Sequence, residues 1–83
     1  MAAFPHRTTL EFEYDDERRA RVVGRSVAQE VGEIDDDRST ARLSRDGRVV
    51  TVEVEAADLV ALRAGTNTWL SLVGVAERCS ALA

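Results

Sequence analysis

Arginine is the residue type whose spacing in this chain most invites chemistry. All eleven basic residues are Arg, with no Lys. Four of them, Arg38, Arg42, Arg45 and Arg48, gather around the dipeptide Asp46-Gly47. If Asp46-Gly47 is the turn of a hairpin, Arg45 and Arg48 flank it and lie side by side. Like charges directly opposed in a sheet repel, and a bound anion such as a nucleic-acid phosphate would relieve them. Solvated turn charges, balanced by Asp46 and salt, are the other explanation, and the residues alone leave both open. Arg18, Arg21 and Arg25 fall on one face of a helix, where plain solvation or weak surface pairs account for them.

Other chemistry finds little support. His6 and Cys79 are the single His and the single Cys and stand far apart in sequence. Two such residues do not make a zinc site, and one Cys excludes a disulfide within the chain. Cys79, near a helix end, has the character of a small hydrophobe. There is no glycine-rich phosphate loop. The run "IDDDR" lacks the ligand spacing and distal Glu of a calcium loop. The expectation is therefore a protein that is not an enzyme, with no cofactor, metal or small-molecule substrate.

The chain has 83 residues and a net charge of −4, which indicates one domain over 1–83. A chain of this length buries only roughly 60–65% of its unfolded surface, so one core gives thin stability. Without disulfide or metal, a partner chain is the remaining source of support. No segment has the roughly 20 apolar residues that cross a bilayer, and "MAAFPHR" has no signal-peptide core. A cytoplasmic protein with no membrane contact is expected. An acidic chain does not draw nucleic acid through its overall field, so any RNA contact must come from a local Arg cluster.

The elements that would position these residues follow from periodicity. In "RTTLEFEY", 7–14, Thr8, Leu10, Phe12 and Tyr14 alternate with polar residues, as in a strand with one buried face. Residues 1–6 are expected to be flexible. In "DDERRARVVGRSVAQEV", Asp15, Asp16 and Glu17 suit a helix N-terminus. Ala20, Val23, Val27 and Val31 form a narrow apolar stripe behind them. "GEIDDDR" is an acidic loop. "STARLSR-DG-RVVTVEVE" is a hairpin with a type I′ turn at Asp46-Gly47. Its expected register sets Leu43 against Val50, Ala41 against Val52, Ser39 against Val54, Arg42 against Thr51 and Arg38 against Glu55. A final helix starts near Asp58. The order β-α-β-β-α predicts an α+β fold, a three-stranded antiparallel sheet with two helices on one face.

The last helix is unusually bare, with no charge between Arg63 and Glu77. Leu59, Leu62, Gly65, Thr66, Trp69, Leu70, Leu72, Val73 and Ala76 span about half its circumference, where a surface helix needs roughly 100°. Val60, Ala64, Asn67, Ser71 and Gly74, mostly small, occupy the opposite side. A fully buried core helix is one explanation. The other is a helix shared between its own sheet and another chain, since the sheet and one narrow helix cannot cover it all. The shared helix, buried partly by its own sheet and partly by another chain, is favoured. Leu59, Leu62, Arg63, Thr66, Asn67, Trp69, Leu70, Ser71, Val73 and Gly74 are its candidate interface residues, with Asn67 as a polar register-setter.

"DLVALRAGTNTWL", following a "DG" hairpin and a β-α-β-β lead-in, resembles the Pcc family, the small dimerising subunit of the KEOPS complex. That family's last helix has Asp, two hydrophobics, Leu-Arg-Ala, then Asn-Ser and Leu. Asp58, Leu59, Leu62, Arg63, Ala64, Asn67 and Leu70 match. Thr68 replaces the usual Ser, and Ser71 stands where many members carry a basic residue. The resemblance implies a non-catalytic subunit of the complex that makes threonylcarbamoyladenosine in tRNAs reading ANN codons. Such a subunit forms a homodimer, binds the catalytic subunit through its helices and contributes to tRNA binding. Under that reading Arg38, Arg42, Arg45 and Arg48 are candidates for tRNA contact. The alternatives are a stand-alone KH-like RNA-binding module, weakened by the missing GXXG loop, and a generic dimerisation or regulatory domain.

Overall fold

The computed structural model describes residues 4–32 and 38–80. The elements are β1 (His6–Glu13), α1 (Glu17–Ala28), β2 (Ser39–Asp46), β3 (Val49–Ala56) and α2 (Leu59–Ser80). The three strands form one antiparallel sheet in the order β1-β3-β2. The expected α+β fold is the observed one. Most of the acidic loop, at 33–37, and residues 1–3 of the segment expected to be flexible lie outside the described residues.

The period-2 pattern builds the sheet as a one-sided layer. Val50, Val52, Val54 and Ala56 of the central strand are buried, while Thr51, Glu53 and Glu55 between them face outward. On the buried face Phe12, Leu10, Thr8 and His6 of β1 oppose Val50, Val52, Val54 and Ala56. Arg45, Leu43, Ala41 and Ser39 of β2 oppose the same four from the other side. His6 was expected in a flexible tail. Its pairing with Ala56 makes it the first residue of β1.

The hairpin register differs from the expected one by two residues. Asp46 is the last residue of β2 and pairs with Val49, which leaves Gly47 and Arg48 as the loop. Gly47 has φ of 61° and no other residue of this loop has positive φ. A type I′ turn needs positive φ at both loop positions, whereas glycine first and an ordinary residue second is the II′ arrangement. Ala41 consequently faces Val54, Leu43 faces Val52 and Arg42 faces Glu53. A slip of two residues keeps every side chain on its face. The hydrophobic pattern is therefore satisfied by either register, and the observed one spares Asp46 the positive φ that a type I′ turn would impose.

Both helices cover the valine face. Asp16 caps α1, its side chain accepting from Arg19 N at 2.7 Å. The stripe Ala20, Val23 and Val27 is buried with Gly24, and Val31 packs on the same core beyond the helix end. At the start of α2 the Asp58 carboxylate accepts from Ala61 N at 2.8 Å. This bond, with support from the Arg38 guanidinium, holds the Asp58 carboxyl below the usual aspartate range. The stabilisation is present above that range and fades as pH falls through the lowered value. Gly65 lets α2 approach β3 closely, since a Cβ there would stand 3.1 Å from Val54 Cγ1.

Tyr14 ties the two ends of the chain together. It is 6% exposed. Its hydroxyl donates to Glu77 Oε2 at 2.7 Å, across 63 residues of sequence. The Arg19 guanidinium sits 5.4 Å over the ring, within cation–π range. Burial first, then the bond to Glu77, raises the Tyr14 pKa well above its ordinary 10.0. A raised phenol pKa contributes stability that is complete below the unfolded value and is lost as pH climbs above it. Tyr14→Phe should cost about 1.5 kcal/mol, the scale of a hydrogen bond to a charged group. For a domain of this size that lowers Tm by roughly 6–12 °C at neutral pH. The difference between wild type and variant in thermal melts should shrink above pH 10.

Candidate protein-interaction surface

The inward side of α2 is a narrow stripe. Trp69, Val73, Ala76 and Ser80 are buried, with Leu62, Gly65, Thr66 and Leu72 partly buried beside them. At about 100° per residue these positions span roughly 120°, the width a helix needs to pack on one layer. Trp69 is 2% exposed and Val73 1%. Both were candidates for a partner contact, and both are instead filled by the chain's own core. Leu62 and Thr66 lie at its edge.

The remaining side is open. Leu59 is 66% exposed, Val60 75%, Leu70 45% and Val75 48%. Arg63, Ala64, Asn67 and Ser71 are exposed among them, and Gly74 is half-buried. Leu59 and Leu70, which belong to the wide apolar arc and to the candidate interface residues, lie outside the part of that arc that meets the sheet. The open face has a wide centre of small residues with four large apolar side chains around it. Its only charges among the described residues come from Arg63 and Arg78. The hydroxyl of Thr68 turns back to Ala64 O at 2.9 Å. Of the three residues in "TNT", Thr66 points inward, Thr68 bonds its own helix, and Asn67 alone stands in the middle of the open face with its amide available. A cleft of about 220 Å³ continues this face between the first half of α2 and the start of β2, lined by Val60, Ala61, Ala64, Gly65, Thr68, Arg38 and Ser39.

A family model described as "Transcription factor Pcc1" matches residues 7–81. The chain belongs to the Pcc1 family. The sequence resemblance in α2 and the family match thus point to the same place. Among curated proteins no match is found. Among solved structures, a chain of the crystal structure of the binary complex Gon7-Pcc1 has a similar fold, with a TM-score of 0.74 at 19% identity. The likeness covers 96% of this chain and 99% of that one, so the Pcc1-family fold spans the chain from β1 to α2.

The hairpin arginines are dispersed by the observed register. Arg45 faces Val50 rather than Arg48, on the helix-covered side of the sheet, and its Nη1 donates to Gly47 O at 2.8 Å. Arg48 sits in the turn, 3.5 Å from Glu13 of β1. Arg42, on the outer face, pairs with Glu53 and lies 4.0 Å from Glu55. Arg7 joins the same outer-face cluster, 3.6 Å from Glu55. Arg38, expected opposite Glu55, pairs with Asp58 instead. The structure does not bring the four together as one basic patch. The role of Glu13, Glu53 and Asp58 as their counter-ions could not be found without the register.

These exposed pairs each contribute little to stability. Arg42→Ala should change Tm by no more than a few degrees. A large loss on melting would mean that the outer-face cluster holds the sheet together.

Proposed function

We propose that this chain is a non-catalytic subunit of the KEOPS complex. It acts as a homodimerising scaffold that binds the catalytic subunit through its helices and helps hold the tRNA to be modified. One observation carries the scaffold reading: the outward half of α2. A helix that is 22 residues long and shows Leu59, Val60, Leu70 and Val75 to solvent presents an apolar face of the kind that marks interaction sites. Small residues at its centre let a second helix approach closely, with the Asn67 amide as a polar group that sets register. Of the seven residues that carry the family resemblance, Leu59, Arg63, Ala64, Asn67 and Leu70 are exposed. Asp58 caps the helix and Leu62 packs inward. The core and the cap account for two of them. Contact with another chain accounts for the other five.

The supporting structure is one of a Pcc1 complex with a different protein, Gon7. It supports a subunit whose work is done through protein contacts. Two chains of this kind, each with one open helix face, would bridge two copies of a larger assembly.

The test is co-expression with the KEOPS catalytic subunit from the same genome, purification in high salt, and mass measurement by light scattering. A complex holding two copies of this chain is the expected product. A monomer that ignores the catalytic subunit would sink the scaffold reading. Asn67→Arg and Leu70→Glu place charge on the open face without touching the core, so each should leave Tm within a few degrees of wild type. Each should reduce recovery of the complex at least tenfold, because a buried unpaired charge is costly in an interface. Unchanged recovery with both variants would place the contact elsewhere.

A further inference from the structure

We infer that Arg21, Arg25 and Arg45 form a binding cleft for the phosphodiester backbone of RNA. The cleft lies between α1 and the edge strand β2 and has a volume of about 250 Å³. These three arginines line it together with Gly24, Ala28 and Leu43. The inference rests on the proposed part in holding tRNA and gives that part a site.

The geometry brings together two groups that looked separate in the sequence. Arg21 and Arg25 are one helical turn apart and so share a face of α1. Arg45 comes to them because it shares the helix-covered face of β2 with Leu43 and Ala41. A Cβ on Gly24 would stand 3.9 Å from Arg45 Cδ, so the arginine stem lies across α1 between the other two. The bond from Arg45 Nη1 to Gly47 O fixes its head. No glycine is required at 24, since its φ is not positive and a Cβ there would meet only ordinary contacts. What the missing side chain leaves is room in the cleft.

Three arginines without an ion pair line this cleft together, whereas Arg18, Arg19, Arg63 and Arg78, which also have none among the described residues, lie outside its lining. The chain is acidic overall, at −4. Arg7, Arg38, Arg42 and Arg48 each have a carboxylate within 4.0 Å. Among the described residues Arg21, Arg25 and Arg45 have none at that distance. Like charges one turn apart on a helix repel, and a third beside them adds to the strain. An anion relieves all three. Guanidinium groups offer paired donors in a fixed fork that matches phosphate oxygens, and the apolar part of the lining can take the face of a ribose or base.

The test is fluorescence anisotropy of the full chain with a labelled single-stranded oligouridylate of about a dozen nucleotides, in a salt titration, with no other subunit present. Three phosphate contacts on a single strand predict a slope of log K against log salt of about −2. Arg21→Ala, Arg25→Ala and Arg45→Ala should each weaken binding about tenfold and flatten the slope by roughly 0.7. All three side chains are exposed, and unchanged melting curves would verify the fold of each variant. Arg42→Ala, on the opposite face of the sheet, should bind like wild type within about twofold. No measurable binding at low salt would overturn the cleft. So would equal weakening by Arg42→Ala, which would make binding a matter of total charge. So would displacement of the RNA by polyglutamate at equal charge concentration, which would make the ligand an acidic protein segment. Each of these failures leaves the co-purification result untouched and so spares the scaffold reading.

Discussion

The molecule is organised by the need to cover one side of β3. Val50, Val52, Val54 and Ala56 are stripped of water on that side, and burying such side chains supplies most of what holds a small domain together. The strand is central in the sheet, so its flanks are closed by β1 and β2. Only two helices are available to roof it. Each contributes one stripe, and α2 must come close enough at Gly65 to touch Val54. Geometry then dictates the rest. A helix that lies on a single layer can bury about a third of its circumference. An α2 that is apolar over much more than that cannot satisfy itself within this chain. The open face of α2 follows from the one-sided sheet together with the lack of charge from Ala64 to Ala76.

Much of this was legible in the sequence because local signals agreed with one another. The alternation from Thr8 to Phe12, the stripe Ala20, Val23, Val27 and the valine run of β3 each named the right element and the right face. The bare helix was visible as a helix that needed more cover than the chain could give. Which half of it turns inward was not. Leu59 and Leu70 are as hydrophobic as Leu62 and Leu72, and periodicity weighs them equally. The close approach at Gly65 and the anchoring of Trp69 and Val73 rotate the helix so that the first pair is left outside. Those are contacts between residues distant in sequence, and no window of the chain contains them. The bond from Tyr14 to Glu77, across 63 positions, belongs to the same class.

The hairpin shows a different limit. Asp46-Gly47 carries a strong preference for a type I′ turn, and every side chain stays on its proper face in that register. The observed turn begins one residue later, with Gly47 first at φ of 61°. Two residues of slip cost the hydrophobic pattern nothing. They do change every cross-strand neighbour. Arg42 gains Glu53, an opposite-charge pair across the ladder, where the other register would have set it against Thr51. A pattern of faces could not weigh that pair. Cross-strand electrostatics does not separate the two registers either, since the slip exchanges the unlike pair Arg38 and Glu55 for Arg42 and Glu53.

That slip also changes which neighbours the arginines meet. In the expected register Arg45 and Arg48 would stand together at the tip of the hairpin, a small basic point exposed on all sides. In the observed one Glu13 answers Arg48, the carboxylates of β3 answer Arg42 and Arg7, and Asp58 answers Arg38. Among the described residues the ion pairs are thus not spread evenly over the arginines. Pairing is concentrated on the outer face of the sheet and at the start of α2. Three of the arginines left without an ion pair among the described residues meet where α1 faces β2, on the helix side of the sheet, around Gly24. An acidic protein repels RNA at long range, yet at contact the ligand meets the local groups rather than the sum, because salt screens everything beyond about 10 Å. A cleft of three arginines with no carboxylate in its lining is then a place where net negative charge and phosphate binding are compatible. It lies on a different helix from the open face of α2, so a protein partner and an RNA strand could be held at once without competing for the same side chains.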